Sequence, residues 1–366
     1  MEQPQGRTGG KIGIKEFVAI VVIMIGTKIT DDTTALLFKP LLNAAWMVPV
    51  INGILAIIPV ALLMKVSTHY ENKDLIDVSY HLFGKYIAFF VLFILWFIGF
   101  CFIVVDTAIY TDIIGTMYYL RTPSIVIYGL LMFVCAYGAR KGLENIGSVA
   151  WTVYPYLQAS LFVTLLITFS QGSTNFLFPL FGPGALEVIK ESSFTISIYM
   201  DILYVFILFP YVNRTKDFKK GTWIAFALIA INMALALISY IMLFDYHSVA
   251  MQSYPYHEAL RTINFAFLTN LESFIFPFWL IGSFVKFTAY LYINLLLFAK
   301  LVKIEQFKYL IPTFATLIVF LGLIAENPAV TMHQLKQTIA YITSPMFFAL
   351  PILFWIVAKW KGEFKK

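Results

Sequence analysis

Long apolar stretches recur along the whole chain, and they constrain its fold more than any other feature. Of the 366 residues, 60% are hydrophobic and only 13% are charged. A chain in lipid must satisfy its backbone hydrogen bonds internally, and a helix does so over about 20 apolar residues. The sequence therefore predicts an all-α integral membrane protein. The ten predicted spans are 14–38, 44–66, 86–117, 123–139, 146–170, 192–212, 221–244, 270–300, 309–325 and 337–358.

Basic residues alternate between rich and poor connections. Nineteen of the 26 Lys and Arg residues lie in the N-terminal arm, the C-terminal tail and every second connection. The positive-inside rule predicts that this side is cytoplasmic, so the tails 1–11 and 359–366 both face the cytoplasm. The same bias explains the net charge of +6, and we expect a lipid bilayer around the chain but no nucleic acid. No catalytic, metal-binding or cofactor motif is present in the sequence, so we expect neither an enzyme nor a cofactor.

The first long connection, Gln171–Glu191, divides the ten predicted spans into five and five. An odd number of spans in each half inverts one half relative to the other, and inverted repeats are common in secondary transporters. We therefore predict a single membrane domain over 1–366, built from a first repeat over 14–170 and a second over 192–358. This architecture predicts a broken helix at the start of each half.

Both expected breaks have a polar sequence. In span 1, an apolar run meets Gly26-Thr27-Lys28-Ile29-Thr30-Asp31-Asp32 before apolar residues resume at Thr33. Such a segment predicts irregular backbone that lines a cavity or is buried in protein. Span 6 begins with Ser192 and Ser193, carries Asp201 and has no glycine. Its hydroxyl and carboxylate side chains predict a break, and the alternative is a continuous helix with an ordinary polar start.

Three ionisable residues lie well inside the predicted spans. Asp106 is in span 3, Asp201 in span 6 and Lys286 in span 8. A charge at that depth needs a partner or a water-filled cavity. Because Asp201 and Lys286 have opposite charge and similar predicted depth, we expect them to approach each other. They form either a structural ion pair or part of a ligand site, and the sequence leaves both open.

Spacing indicates which way these residues point. Ile98, Phe102 and Asp106 step by four along one face of span 3, while Lys286 and Tyr290 share a polar face of span 8. For Asp106 the alternatives are a proton or water pathway, a hydrogen bond between helices, and solvation near the outer end. A fourth charged residue, Lys28, lies in the predicted break of span 1. We expect its side chain to snorkel outward, and a ligand contact is the alternative.

Four segments together resemble a known family. They are Met24-Ile25-Gly26 in span 1, Arg121-Thr122-Pro123 after span 3, Leu208-Phe209-Pro210 at the end of span 6, and Leu271-Glu272-Ser273-Phe274 with Trp279 and Tyr290-x-Tyr292 in span 8. Their order and spacing resemble the B subunits of spore germinant receptors, GerAB-type proteins of the amino acid–polyamine–organocation transporter superfamily. The resemblance extends from about Ile12 to Lys359. It implies a LeuT-like transporter fold of ten helices in the spore inner membrane, and partnership with an A subunit and a C-subunit lipoprotein.

The resemblance also implies where a ligand binds. By position, the candidate ligand-binding residues are Gly26, Thr27, Ile98, Phe102, Asp201, Lys286 and Tyr290, and Asp106 is the candidate proton or water-pathway acid. An alanine-responsive family member has uncharged residues where this chain has Asp201 and Lys286, so the ligand's identity does not follow. We expect a sensor of a small nutrient, such as an amino acid. The alternatives are a proton-coupled amino-acid transporter and a membrane scaffold.

Overall fold

The computed structural model describes residues 10–70, 73–263, 271–325 and 327–364, and its regular structure is helical. Its α-helices are α1 Ile14–Gly26, α2 Thr33–Leu41, α3 Met47–His69, α4 Leu75–Ile113, α5 Ser124–Lys141, α6 Leu143–Gln171, α7 Ala185–Phe194, α8 Ile202–Val205, α9 Thr215–Phe244, α10 Tyr246–Ala250, α11 Pro255–Thr262, α12 Leu271–Val302, α13 Ile311–Gly322 and α14 Pro328–Trp360. Short 3-10 turns occupy Thr27–Ile29, Leu42–Ala44, Thr174–Leu177, Ile196–Tyr199, Phe206–Tyr211 and Phe307–Leu310, and a π-turn occupies Ile114–Tyr118.

Seven of the described helices are long and apolar enough to cross a membrane, and the number is eight if the bent pair 185–194 and 196–211 counts as one span. The seven are α3, α4 with its π-turn, α5, α6, α9, α12 and α14. Two other predicted spans are shorter in the structure. Span 1 is divided into α1 and α2, and span 9 is an apolar helical segment over 307–322. The integral membrane character is therefore confirmed. Ten crossings, the two repeats and the orientation of the termini stay predictions.

The predicted break in span 1 is present. Helix α1 ends at Gly26, a single 3-10 turn follows, and α2 begins at Thr33. Two hydroxyls bond to backbone carbonyls there: Thr27 Oγ1 donates to Ile23 O at 2.7 Å, and Thr30 Oγ1 donates to Thr27 O at 2.7 Å. These side chains supply hydrogen bonds to a backbone that has left the regular helical pattern.

The predicted break in span 6 is present as well, and it is made without glycine. Helix α7 ends at Phe194, and the chain bends by 46° before continuing through 196–211. Ser344 of α14 bridges the bend, because its Oγ donates to Phe194 O at 2.5 Å and accepts from Ser197 N at 3.2 Å. The alternative of a continuous helix is wrong, since a hydroxyl from another helix occupies backbone groups that the bend leaves open.

The two broken spans also meet at their other ends. Ile12 lies just before α1, and Val212 lies just after the 3-10 turn Phe206–Tyr211 of span 6. The two residues form an isolated parallel bridge. Ile12 N donates to Tyr211 O at 2.9 Å, and Asn213 N donates to Ile12 O at 3.0 Å. The start of span 1 is thereby joined to the end of span 6.

Two long helices, α4 and α12, contribute many buried residues to the core. In α12, buried residues occur on all sides from Leu271 to Leu301, as expected for a helix that is apolar all round. Helix α4 contains Gly84 at φ 74°, a left-handed conformation that favours glycine, and this separates residues 75–83 from the predicted span. Helices α4 and α12 pack against each other. Helix α4 also packs against α14, and α12 also packs against α1, and these four elements position the site.

Candidate functional site

A pocket of about 600 Å³, counted to include space open to its surroundings, lies where the two broken spans face α4, α12 and α14. Its lining combines aromatic, hydroxyl and charged side chains. The lining residues are Lys28, Thr33, Leu36, Leu37, Phe102, Ile103, Asp106, Thr195, Ser197, Ile198, Asp201, Phe287, Tyr290, Lys336 and Ala340.

Lys28 and Asp201 form an ion pair between the two breaks. Lys28 Nζ also donates to Ile198 O at 2.8 Å, and the whole residue is only 6% exposed. The expectation that Lys28 snorkels outward is therefore wrong. Asp201 and a carbonyl of the second break give its ammonium buried partners, which outweigh the benefit of reaching water.

Lys286 has partners other than Asp201, so the predicted Asp201–Lys286 approach is wrong. Its Nζ lies 3.2 Å from Asp106 Oδ2 and 3.4 Å from Asp31 Oδ2. It also lies 4.5 Å from the centroid of the Tyr110 ring, at a distance typical of a cation–π contact. Lys286 is fully buried, and two carboxylates and an aromatic face together compensate the loss of its hydration.

Lys336 of α14 binds three carboxylates at once. Its Nζ lies 2.7 Å from Asp32 Oδ1, 3.0 Å from Asp106 Oδ1 and 3.2 Å from Asp31 Oδ1. His333, one turn earlier in α14, places Nδ1 2.8 Å from Asp32 Oδ2. We call Asp31, Asp32, Asp106, Lys286 and Lys336 the ionic cluster. It joins the break of span 1 to α4, α12 and α14.

The sequence-predicted site residues separate into three groups. Phe102, Asp106, Asp201 and Tyr290 line the pocket together. Gly26 and Thr27 instead line a second pocket of about 580 Å³, between α1 and helices α6, α9, α11 and α12. Ile98 and Lys286 are buried but are absent from the lining of either pocket as the structure describes it.

Gly26 does not owe its place to close packing. A Cβ added there would meet only Val22 Cγ1, at an ordinary contact distance of 3.5 Å. Close packing against a glycine occurs instead at Gly99 of α4, which lies beside the pocket. A Cβ at Gly99 would lie 2.6 Å from Asn294 Nδ2 and 2.9 Å from Tyr204 Cε1. Gly99, Asn294 and Tyr204 line a smaller pocket of about 240 Å³ that shares Phe102, Ile103, Asp201 and Tyr290 with the first.

Sequence reasoning missed Lys336 and His333 and did not include Asp31 or Asp32 in the site. Lys336 lies just before the predicted start of span 10 and looks like a loop lysine, whereas α14 begins at Pro328 and buries it. One signal could have found it. Two adjacent acids inside span 1 need more positive charge than Lys28 and Lys286 supply, and Lys336 is the basic residue immediately before the last predicted span.

Comparison with known proteins identifies relatives of this chain. The sequence profile of a family described as spore germination protein matches residues 13–330. Spore germination protein KB of Bacillus subtilis (strain 168) is 28% identical over 260 residues, which are 69% of this chain and 69% of that protein. Spore germination protein YndE of the same organism is 21% identical over 358 residues, covering 96% and 95% of the two chains.

A solved structure shares the fold. Mhp1, a nucleobase-cation-symport-1 family transporter in a closed conformation with bromovinylhydantoin bound, matches with a TM-score of 0.58 and 14% identity. The match covers 95% of this chain and 79% of that one. The predicted LeuT-like, all-α transporter fold with broken helices is thereby confirmed.

Proposed function

The chain belongs to the spore germination protein family, and from this premise we propose that it is the nutrient-sensing subunit of a germinant receptor. It binds a small zwitterion, such as an amino acid, in the pocket between the broken spans, α4, α12 and α14. Binding triggers germination through partner subunits. It is a multi-pass membrane protein, and its proposed place is the spore inner membrane, with A and C subunits as partners and both termini cytoplasmic.

The balance of charge in the pocket carries the ligand assignment. Its lining contains two lysines, Lys28 and Lys336, and two aspartates, Asp106 and Asp201. All four are almost completely buried, and each is ion-paired. A ligand with a net charge would add an uncompensated charge to this buried site, at a cost of several kcal/mol. A zwitterion adds none, and its ammonium and carboxylate can each share a carboxylate or an ammonium of the walls.

The pocket walls also supply a means of signalling. They come from both broken spans and from three further helices, and the ion pairs cross from one element to another. A ligand that shares those pairs has different affinities for arrangements in which the elements are close or separated. Binding therefore shifts the population of these arrangements, and partner subunits in contact with the helices respond.

The test is germination of spores whose only complete receptor contains this subunit, across a panel of the twenty amino acids, sugars and nucleosides. Asp201→Asn adds one net positive charge to the lining. We expect the variant to need a higher amino-acid concentration, and to gain relative response to carboxylic acids that lack the amine. Subunit abundance is measured in parallel. An unchanged amino-acid requirement at normal abundance would contradict the proposed site.

Active transport is the second candidate, because the fold is shared with a symport-family transporter. Purified protein in proteoliposomes with an imposed pH gradient separates the two functions. A sensor binds the nutrient that triggers germination without accumulating it. Accumulation that collapses with the gradient would instead favour a proton-coupled transporter.

A further inference from the structure

Lys28 has an unusual position, since its ammonium lies between two stretches of irregular backbone. It belongs to the 3-10 turn that follows α1, and it contacts the 3-10 turn of the second break through Ile198 O at 2.8 Å. Its ion-pair partner Asp201 lies two residues after that second turn and immediately precedes α8. One positive charge thus holds a carbonyl and a carboxylate of span 6 against span 1.

These oxygen ligands are of the kind that bind an alkali cation. Unwound carbonyls and the ends of half-helices coordinate Na⁺ in transporters with broken helices. Other oxygens line the same pocket, among them Ser197 and Thr33. The Thr33 hydroxyl is buried and, in the part of the chain that the structure describes, makes no hydrogen bond. A lysine ammonium has the charge of an alkali cation and donates hydrogen bonds where the metal would coordinate.

We propose that Lys28 is a tethered cation that fills a monovalent-cation site between the two broken spans. The protein holds these spans together without a dissociable alkali cation, and truncation of Lys28 turns the same oxygens into a site for one. The proposal concerns the protein without nutrient, so it stands or falls independently of the proposed function.

The neighbouring carboxylates follow the same pattern. Asp31 and Asp106 are both bound by Lys286 and Lys336, and Asp32 is bound by Lys336. Each carboxylate of the pocket and of the ionic cluster therefore has an ammonium from the chain itself. Three ammoniums are shared by these four carboxylates, and His333 is a further partner of Asp32.

The test is thermal unfolding of the purified chain in detergent, in NaCl, KCl or N-methyl-D-glucamine chloride at equal ionic strength. We expect the unaltered chain to unfold at one temperature in all three salts. Lys28→Ala leaves Asp201 unpaired, so in N-methyl-D-glucamine chloride its midpoint should fall by roughly 10 °C. NaCl, or a free primary amine salt such as propylammonium chloride, should restore at least half of that loss. The matched control is Lys190→Ala, which removes an exposed lysine paired with Glu187 and should respond to no salt.

A double variant keeps the outcome decisive. Lys28→Ala/Asp201→Asn removes both charges, so we expect it to purify normally and to respond to neither Na⁺ nor propylammonium. Three results would overturn the proposal: Na⁺-specific stabilisation of the unaltered chain, equal midpoints of Lys28→Ala in every salt, or the same cation response in the double variant. If Lys28→Ala purifies only when Na⁺ or propylammonium is present during extraction, the proposal is supported. If it fails in every salt while the double variant purifies, the proposal is wrong.

Discussion

Lys336 and Asp106 come from opposite halves of the chain and form an ion pair in its interior, with 3.0 Å between Nζ and Oδ1. The pair fastens α14 to α4 beside the pocket. Because Lys336 also binds Asp31 and Asp32, one side chain joins the last helix to the break of span 1. The stability of the ionic cluster and the shape of the pocket therefore depend on the same lysine.

Removal of that lysine should be costly. Lys336→Met leaves three buried carboxylates with less positive charge than they need, and breaking a buried pair from one side costs about 3–5 kcal/mol. We expect a clearly lower unfolding temperature in detergent. Lys359→Met is the matched control, because it removes an exposed lysine from the same helix and should change the midpoint little. Equal effects of the two substitutions would show that Lys336 is not part of a stabilising cluster.

Two glycines in long helices should respond oppositely to alanine. At Gly99 a Cβ would clash with Asn294 and Tyr204, so Gly99→Ala should destabilise the protein by about 1–3 kcal/mol. At Gly129 a Cβ has no described neighbour within 4 Å, so Gly129→Ala should stabilise the helix by up to about 1 kcal/mol. Chemical denaturation of both variants in detergent measures the difference. A neutral Gly99→Ala would mean that the α4, span-6 and α12 contact is looser than the structure describes.

Aromatic contacts should set the nutrient requirement. Phe102 lines the pocket, and we expect Phe102→Ala to raise the nutrient concentration needed for germination about tenfold, which corresponds to about 1.4 kcal/mol of lost contact. Phe133→Ala removes a ring that is 70% exposed on α5 and should leave the requirement unchanged. Dose–response curves at matched subunit abundance provide the comparison. A shift of the same size in both variants would indicate a general loss of receptor, not a pocket effect.

Much of the site's position could be predicted from the sequence, but its pairing could not. The break at Gly26 follows from polar residues inside an apolar run, and helical spacing indicates which faces carry Phe102 and Tyr290. The resemblance to the germinant-receptor family implies the pocket positions of Phe102, Asp201 and Tyr290. The partner of each charge does not, since that choice depends on how helices rotate against one another. The prediction that the Lys28 side chain points outward is wrong for this reason.

The start of α14 shows a second limit. A lysine at the edge of an apolar run has the same local pattern whether it faces water or three carboxylates from other helices. Lys336 is buried only because Asp31, Asp32 and Asp106 converge on it in three dimensions. Sequence spacing within one helix carries no information about that convergence.

The C-terminal tail should respond to pH. Glu363 accepts a hydrogen bond from His81 at 2.9 Å, and this bond lowers the pKa of Glu363 below its ordinary value of 4.5. A carboxyl with a lowered pKa stabilises the folded arrangement above its ordinary pKa, and that contribution is lost as the pH falls through the lowered value. We therefore expect the tail to be held at neutral pH and released in acid.

Hydrogen exchange over residues 359–364, corrected for the intrinsic effect of pH, measures this release. Glu363→Gln should exchange faster at neutral pH and lose the acid step. Glu305→Gln, which changes an exposed acid in another connection, should behave like the unaltered chain. If exchange at neutral pH is the same in all three proteins, the His81–Glu363 contact does not hold the tail.

The bridge between Ile12 and Val212 has a mechanical consequence. Two backbone hydrogen bonds fix the start of α1 to the end of span 6, while Ser344 holds the bend of span 6 to α14. A displacement of the second broken span near Val212 is therefore passed on to Ile12 and the start of α1, because both hydrogen bonds involve Ile12. A neighbouring protein that binds the chain beside Ile12 would therefore respond to the occupancy of the pocket without touching it.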